Sequence, residues 1–143
     1  MKLESLELKL CDIQGRLFEL SLAAGYDSER FVSCFMKSRT ARALDSRYNR
    51  MQWAGEEYLL EEIGEEAELT KGNNTISAEV MYWMGYIYRY WHYLKDETSA
   101  NIYTQADFRT MKRNYLMFHT MGPALAIDDL IEIRRQKRKH KMD

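Results

Sequence analysis

At 143 residues the chain has the length of one domain and can bury a sizeable core. Hydrophobic residues make up 45 % and charged residues 30 %, with a formal net charge of −1, which excludes a disordered chain and the broad basic face of a dedicated nucleic-acid binder. One proline and seven glycines favour helices over a turn-rich β protein, and two cysteines make no disulfide framework, so Cys11 and Cys34 read as buried free thiols.

The start, MKLESLELKL, lacks the apolar core of a signal peptide. Leu3, Leu6, Leu10, Ile13, Leu17 and Leu20 recur at three- and four-residue steps, the stripe of a helix ending near Gly25. Asp27 is placed to cap a second helix over SERFVSCFMK, with Phe31, Val32 and Phe35 on one face. Residues 37–50, KSRTARALDSRYNR, hold five cations and one Asp and suggest a short helix or turn around TARALDSRY. A longer helix is expected from about Asn49, carrying Met51, Trp53, Ala54, Tyr58, Leu59 and Ile63 and fraying through GEEAE. Its segment 56–68 holds seven Glu and no cation.

LTKGNNT is the clearest loop. Ser77 is placed to cap the next helix, with Glu79 in its first turn. KDETSAN breaks that helix, and Asp107 can cap FRTMKRNYLMFHT. MGPAL is a further break, and it puts Pro123 in the first turn of a last helix, ALAIDDLIEIRRQK. The expected fold is all-α: a single-domain bundle of about six or seven helices over residues 1–133, followed by a basic C-terminal tail, 134–143. No apolar run approaches the ~20 residues of a membrane span. The expected setting is cytoplasmic, with no membrane, metal or cofactor.

Residues 81–94, MYWMGYIYRYWHYL, are half aromatic and need a choice between strand and helix. A strand would have two aromatic faces, with Arg89 beside Trp83, Ile87 and Trp91. A helix resolves the pattern better. Val80, Trp83, Met84, Ile87, Trp91 and Leu94 fall within one arc of roughly 80°, a core stripe. Tyr82, Tyr86 and Tyr93 cluster on a second strip around Arg89, and Gly85 would let another backbone approach closely. Three readings of that strip stand: a central helix covered all round, a partner-binding face rich in the Tyr and Arg of interface hot spots, or a base-stacking platform. Trp53, Glu56 and Glu57 form a secondary candidate face, where the Glu-rich helix would steer a basic partner.

Signals for chemistry are sparse. Asp128, Asp129 and Glu132 read as a solvated helix face, and no Cys/His set has zinc spacing. RNYLMFH, from Arg113 to His119, fits the R-x(4–6)-H pattern of the HEPN ribonucleases, small all-helical proteins with an Arg and a His at the scissile phosphate and often a polar residue after the Arg, here Asn114. With twelve Arg and three His, roughly one such match is expected by chance. Helical geometry puts His119 on the apolar face with Phe108, Met111, Tyr115 and Phe118, so a core histidine is expected. The tail RRQKRKHKMD holds six Lys/Arg and one Asp, which leaves the rest of the chain at a net −6. It reads as a solvated, disordered end, as a complement to the last helix's dipole, or as a contact for nucleic acid or an acidic partner. Arg39, Arg42 and Arg47, in the faint helix-turn-helix candidate FVSCFMKSRTARALDSRY, and Arg50 just after it would join the tail in a nucleic-acid-binding regulator.

Four stretches, ALDSRYNRMQWAGEEYLLEE, SAEVMYWMGYIYRYWHYL, IYTQADFRTM and FHTMGPALAIDDLIE, together resemble a poorly characterised group of small bacterial antitoxin-like proteins encoded beside toxin genes. The resemblance covers roughly residues 10 to 133 and carries no short diagnostic motif. It implies a non-enzymatic protein that neutralises a toxin by direct binding, with ADP-ribosyltransferases among the toxin types. The corresponding expectation is that Tyr86→Ala or Arg89→Ala weakens partner binding and leaves thermal stability nearly unchanged.

Overall fold

The computed structural model describes residues 2–46 and 50–142. Among these residues there are eight α-helices: α1 (Ser5–Ala23), α2 (Ser28–Met36), α3 (Arg39–Asp45), α4 (Glu56–Glu66), α5 (Ala78–Lys95), α6 (Ser99–Gln105), α7 (Phe108–Phe118) and α8 (Pro123–Met142). A short 3-10 turn, Arg50–Trp53, stands between α3 and α4. The described residues form no strand, only one isolated antiparallel bridge between Tyr26 and Lys71. The all-α expectation holds, with eight helices against the six or seven anticipated.

The extra helix is α6. Seven residues are too few to show a periodic stripe, and SANIYTQ contains no strong run of helix formers. It forms because the Thr98 hydroxyl accepts from the Asn101 backbone N–H at 3.1 Å and because Ile102 and Tyr103 are buried against the bundle. The helix expected from Asn49 also differs. Asn49 lies outside the described residues, and α4 begins only after Gly55, which serves as its N-cap. The other caps follow the sequence: the side chains of Asp27, Ser77 and Asp107 accept from the backbone of Arg30, Val80 and Thr110. α1 ends at Ala23, and Gly25 turns the chain at φ +82°, where glycine is favoured.

The central element is α5, packed by α1, α6, α7 and α8. Its expected stripe is buried: Trp83, Met84, Ile87 and Trp91 lie in the core, with Val80 and Leu94 packed at its edge. Burial goes further round the helix, however, and takes in Met81, Gly85, Tyr88 and Arg89. α1 and α5 cross closely at two glycines. A Cβ on Gly85 would sit 2.5 Å from the Gln14 carbonyl oxygen, and one on Gly15 would sit 2.7 Å from the Tyr82 ring. The core joins this pair to Phe31, Val32, Phe35 and Met36 of α2 and to Ala126, Ile127 and Leu130 of α8.

The basic segment 134–142 is not the disordered end expected from the sequence: it continues α8 without a break, and the side chains of residues 135–141 are exposed. No helix among the described residues is long and apolar enough to cross a membrane.

Candidate functional site

The Tyr–Arg strip of α5 separates into three parts. Arg89 goes inside. It is 1 % exposed, and each guanidinium nitrogen is engaged: Nε donates to Gln14 Oε1 at 2.8 Å, Nη1 to Asp45 Oδ1 at 2.7 Å and Nη2 to Ser99 Oγ at 3.3 Å. Asp45 also accepts from the Ser99 backbone N–H and hydroxyl, both at 2.8 Å. Gln14 in turn donates to the Gly85 carbonyl at 2.9 Å. The network ties α1, α3, α5 and α6 together, so Arg89 is a structural residue and not part of an exposed partner strip. Its charge is tolerated inside because a carboxylate and two neutral acceptors complete its hydrogen bonds.

Tyr93 also leaves the strip. It lines a cavity of about 630 Å³ with Glu7, Asp45 and His92, its ring edge-on to the His92 imidazole at 4.9 Å. The Tyr93 hydroxyl is buried without a hydrogen-bond partner among the described residues, and burial pushes the phenol up to about 12. His92 Nδ1 lies 2.6 Å from the Glu97 carbonyl. Burial, and after it the nearby Arg89 guanidinium, hold its imidazole below the ordinary histidine range.

Tyr82 and Tyr86 remain at the surface, half-buried, and here a ladder forms. Tyr86 stands between Tyr82 and Tyr90, with ring centroids 6.0 and 6.3 Å away, the i±4 spacing of one helix face. The Tyr82 hydroxyl donates to Asp12 Oδ1 at 2.5 Å, and Asp12 also pairs with Arg16 at 3.0 Å. Burial, then this carboxylate, raise the Tyr82 phenol, and burial raises Tyr86, so both are neutral at physiological pH.

Opposite the ladder stands a second row of rings. Trp83 meets Tyr115 of α7 edge-on at 5.6 Å, and Tyr115 stacks on His119 at 4.3 Å and 12°. The two rows bound a groove of about 580 Å³, closed by Ile87, by Met121 in the α7–α8 turn and by Pro123, with Glu19 of α1 and Glu79 of α5 also lining it. Beyond it, the α7–α8 corner carries the exposed apolar side chains Leu116, Met117 and Leu125. An aromatic groove, together with exposed apolar groups on the helices that line it, is the composition of a docking surface.

His119 corrects an expectation. It is exposed, not buried, because α7 ends at Phe118 and the histidine is the helix C-cap, with Nδ1 2.8 Å from the Tyr115 carbonyl. Arg113 is exposed one and a half turns earlier, and the Asn114 amide donates to the Thr110 carbonyl at 2.8 Å. The ring stacking that places His119 was legible as an i, i+4 Tyr–His pair, whereas the helix end that frees its imidazole was not.

Trp53 is 77 % exposed, Glu57 is exposed and Glu56 half-buried. Both glutamates line a shallower depression of about 390 Å³ that shares Glu19 with the aromatic groove. Of the basic residues in the helix-turn-helix candidate, Arg39 is exposed and pairs with Glu66 at 3.5 Å, Arg42 is exposed, and Arg47 lies outside the described residues. Among the described residues no group of three His, Cys, Asp or Glu could hold a metal ion. Cys11 is buried, which raises its thiol to about 12, while Cys34 is half-buried; neither is disulfide-bonded.

No protein-family model, curated protein or solved structure matches the chain.

Proposed function

We propose that the protein is a non-enzymatic binding module, an antitoxin that neutralises a partner toxin by holding it against the aromatic groove. The observation that carries this reading is the groove between Tyr82/Tyr86 and Trp83/Tyr115, whose helices α7 and α8 also expose Leu116, Met117 and Leu125. Rigid aromatic side chains give large contact area at little entropic cost, and the exposed aliphatic residues gain about 25 cal/mol per Å² of apolar surface when covered. Residues from α1, α5, α7 and α8 build the groove, so it is preformed by the bundle. The resemblance of four stretches of the chain to antitoxin-like proteins supplies the kind of partner.

The test is co-expression from the native operon. The neighbouring gene product should arrest growth alone, be relieved by this chain and purify with it, and Tyr86→Ala should lower both relief and recovery. A neighbour that stays toxic and separate would end the reading.

A second reading, a ribonuclease of HEPN type using Arg113, Asn114 and His119, draws on the surface position of His119. It requires growth arrest and RNA cleavage when this chain is expressed alone, both abolished by His119→Ala. Harmless expression removes it. A nucleic-acid contact through the basic end of α8 would appear as a mobility shift that weakens with salt.

A further inference from the structure

The groove carries more information than its apolar walls, because two carboxylates line it. Glu19 and Glu79 have no ion-pair or hydrogen-bond partner among the described residues, and the groove is lined by no Lys or Arg. The nearest paired charges on α1, Arg16 and Asp12, satisfy each other. Beyond Glu19 the adjoining depression brings in Glu56 and Glu57, with Arg16 as its one basic lining residue.

Resting on the antitoxin reading, we infer that the groove receives a cationic side chain, an arginine or lysine of the partner protein. A neutral anchor would cover half-buried Glu19 and crowd exposed Glu79 without pairing either carboxylate, and so gain nothing from their charge. A cation turns the same acids into partners. Its aliphatic stem lies against Ile87, Trp83 and Met121, its charged head meets the faces of Tyr82 and Tyr86, and the carboxylates neutralise it. Arginine fits best, since its planar guanidinium stacks on rings and forks to carboxylates. A nucleotide base would also stack on these rings, but its phosphate would face two unpaired acids with no cation in the groove.

The experiment is an NMR titration of the full chain that follows the Trp83 indole and the Tyr82 and Tyr86 rings. The probes are N-acetylarginine amide, its neutral counterpart N-acetylnorleucine amide, and adenosine monophosphate. Arginine amide should shift those resonances and bind about two- to fivefold more tightly than norleucine amide, the factor expected of an exposed ion pair with the groove's carboxylates. The double variant Glu19→Gln, Glu79→Gln should erase the difference while its thermal midpoint stays put. Added salt should weaken arginine binding and leave norleucine binding unchanged. Equal binding of the two amides, tighter binding of the nucleotide, or a full arginine preference in the double variant would each overturn the inference.

The antitoxin reading fails separately. If the neighbouring gene product is not captured yet arginine amide shows its preference, the cation site stands without that partner. If capture depends on Tyr86 but not on Glu19, Glu79 or salt, the partner docks there without a cation.

Discussion

Arg89 of α5 and Asp45 at the end of α3 form a 2.7 Å ion pair with side-chain exposures of 1 % and 8 %. Removing one member of such a pair strands the other charge in the core, at a cost of about 3–5 kcal/mol. Arg89→Ala should therefore lower the thermal midpoint sharply, as should Asp45→Ala, and the double variant should lose much less than the sum. A double-mutant cycle by denaturant unfolding measures this. The outcome reverses the sequence-based expectation that Arg89→Ala is neutral for stability.

The two glycines at the α1–α5 crossing give a second prediction. A methyl group at Gly85 meets backbone at 2.5 Å and cannot be accommodated by a rotamer change, so Gly85→Ala should destabilise by about 1–3 kcal/mol. Gly64 in α4 is the contrast: nothing lies within 4 Å of its added Cβ. There Gly64→Ala removes only the entropic penalty of glycine and should stabilise by about 0.5–1 kcal/mol. Chemical denaturation of the two variants should move in opposite directions.

Acid should weaken the fold in two windows. His92 titrates lower in the folded chain than in the unfolded one, so between those two values the unfolded state binds more protons and stability falls as pH drops below about 6.5. At lower pH, Glu66 adds a second loss. Burial opposes its charge, but the hydroxyl of Thr40 at 2.5 Å and the backbone N–H groups of Thr40 and Arg39 at 3.0 and 2.8 Å outweigh burial and hold its carboxyl below the ordinary range. Its contribution is present above the unfolded glutamate value and disappears as pH falls through the folded one. His92→Gln should flatten the upper part of the stability profile alone, and Glu66→Gln the lower part alone.

These positions also mark what local sequence can and cannot reveal. The caps Asp27, Ser77 and Asp107, the turn at Gly25 and the core stripe of α5 follow from residue type and spacing, which act within a few residues. Gly85 was legible as a site of close approach, though Gln14 was not legible as the residue that approaches. Arg89 was misplaced because its partners Asp45 and Gln14 are 44 and 75 residues away, and a helical wheel records only direction around an axis, not what stands there. The groove shares that limit. Tyr82 and Tyr86 stood out as half of it, whereas Tyr115, Met121 and Pro123 join them only when the α7–α8 turn folds back over α5.

Tyr86 offers the cleanest separation of binding from folding. Its ring is half-buried and its hydroxyl has no hydrogen-bond partner among the described residues, so Tyr86→Ala loses mainly the contacts to Tyr82 and Tyr90, at about 0.5–1.5 kcal/mol beyond the area exposed. Tyr82→Phe makes the matched control, since it keeps the ring and removes only the bond to Asp12. That change should cost about 0.5–1.5 kcal/mol in stability and leave the groove's shape intact. Partner affinity measured by calorimetry should then fall strongly for Tyr86→Ala and little for Tyr82→Phe. Equal affinity losses would mean that the ladder acts by supporting the bundle and not by touching the partner.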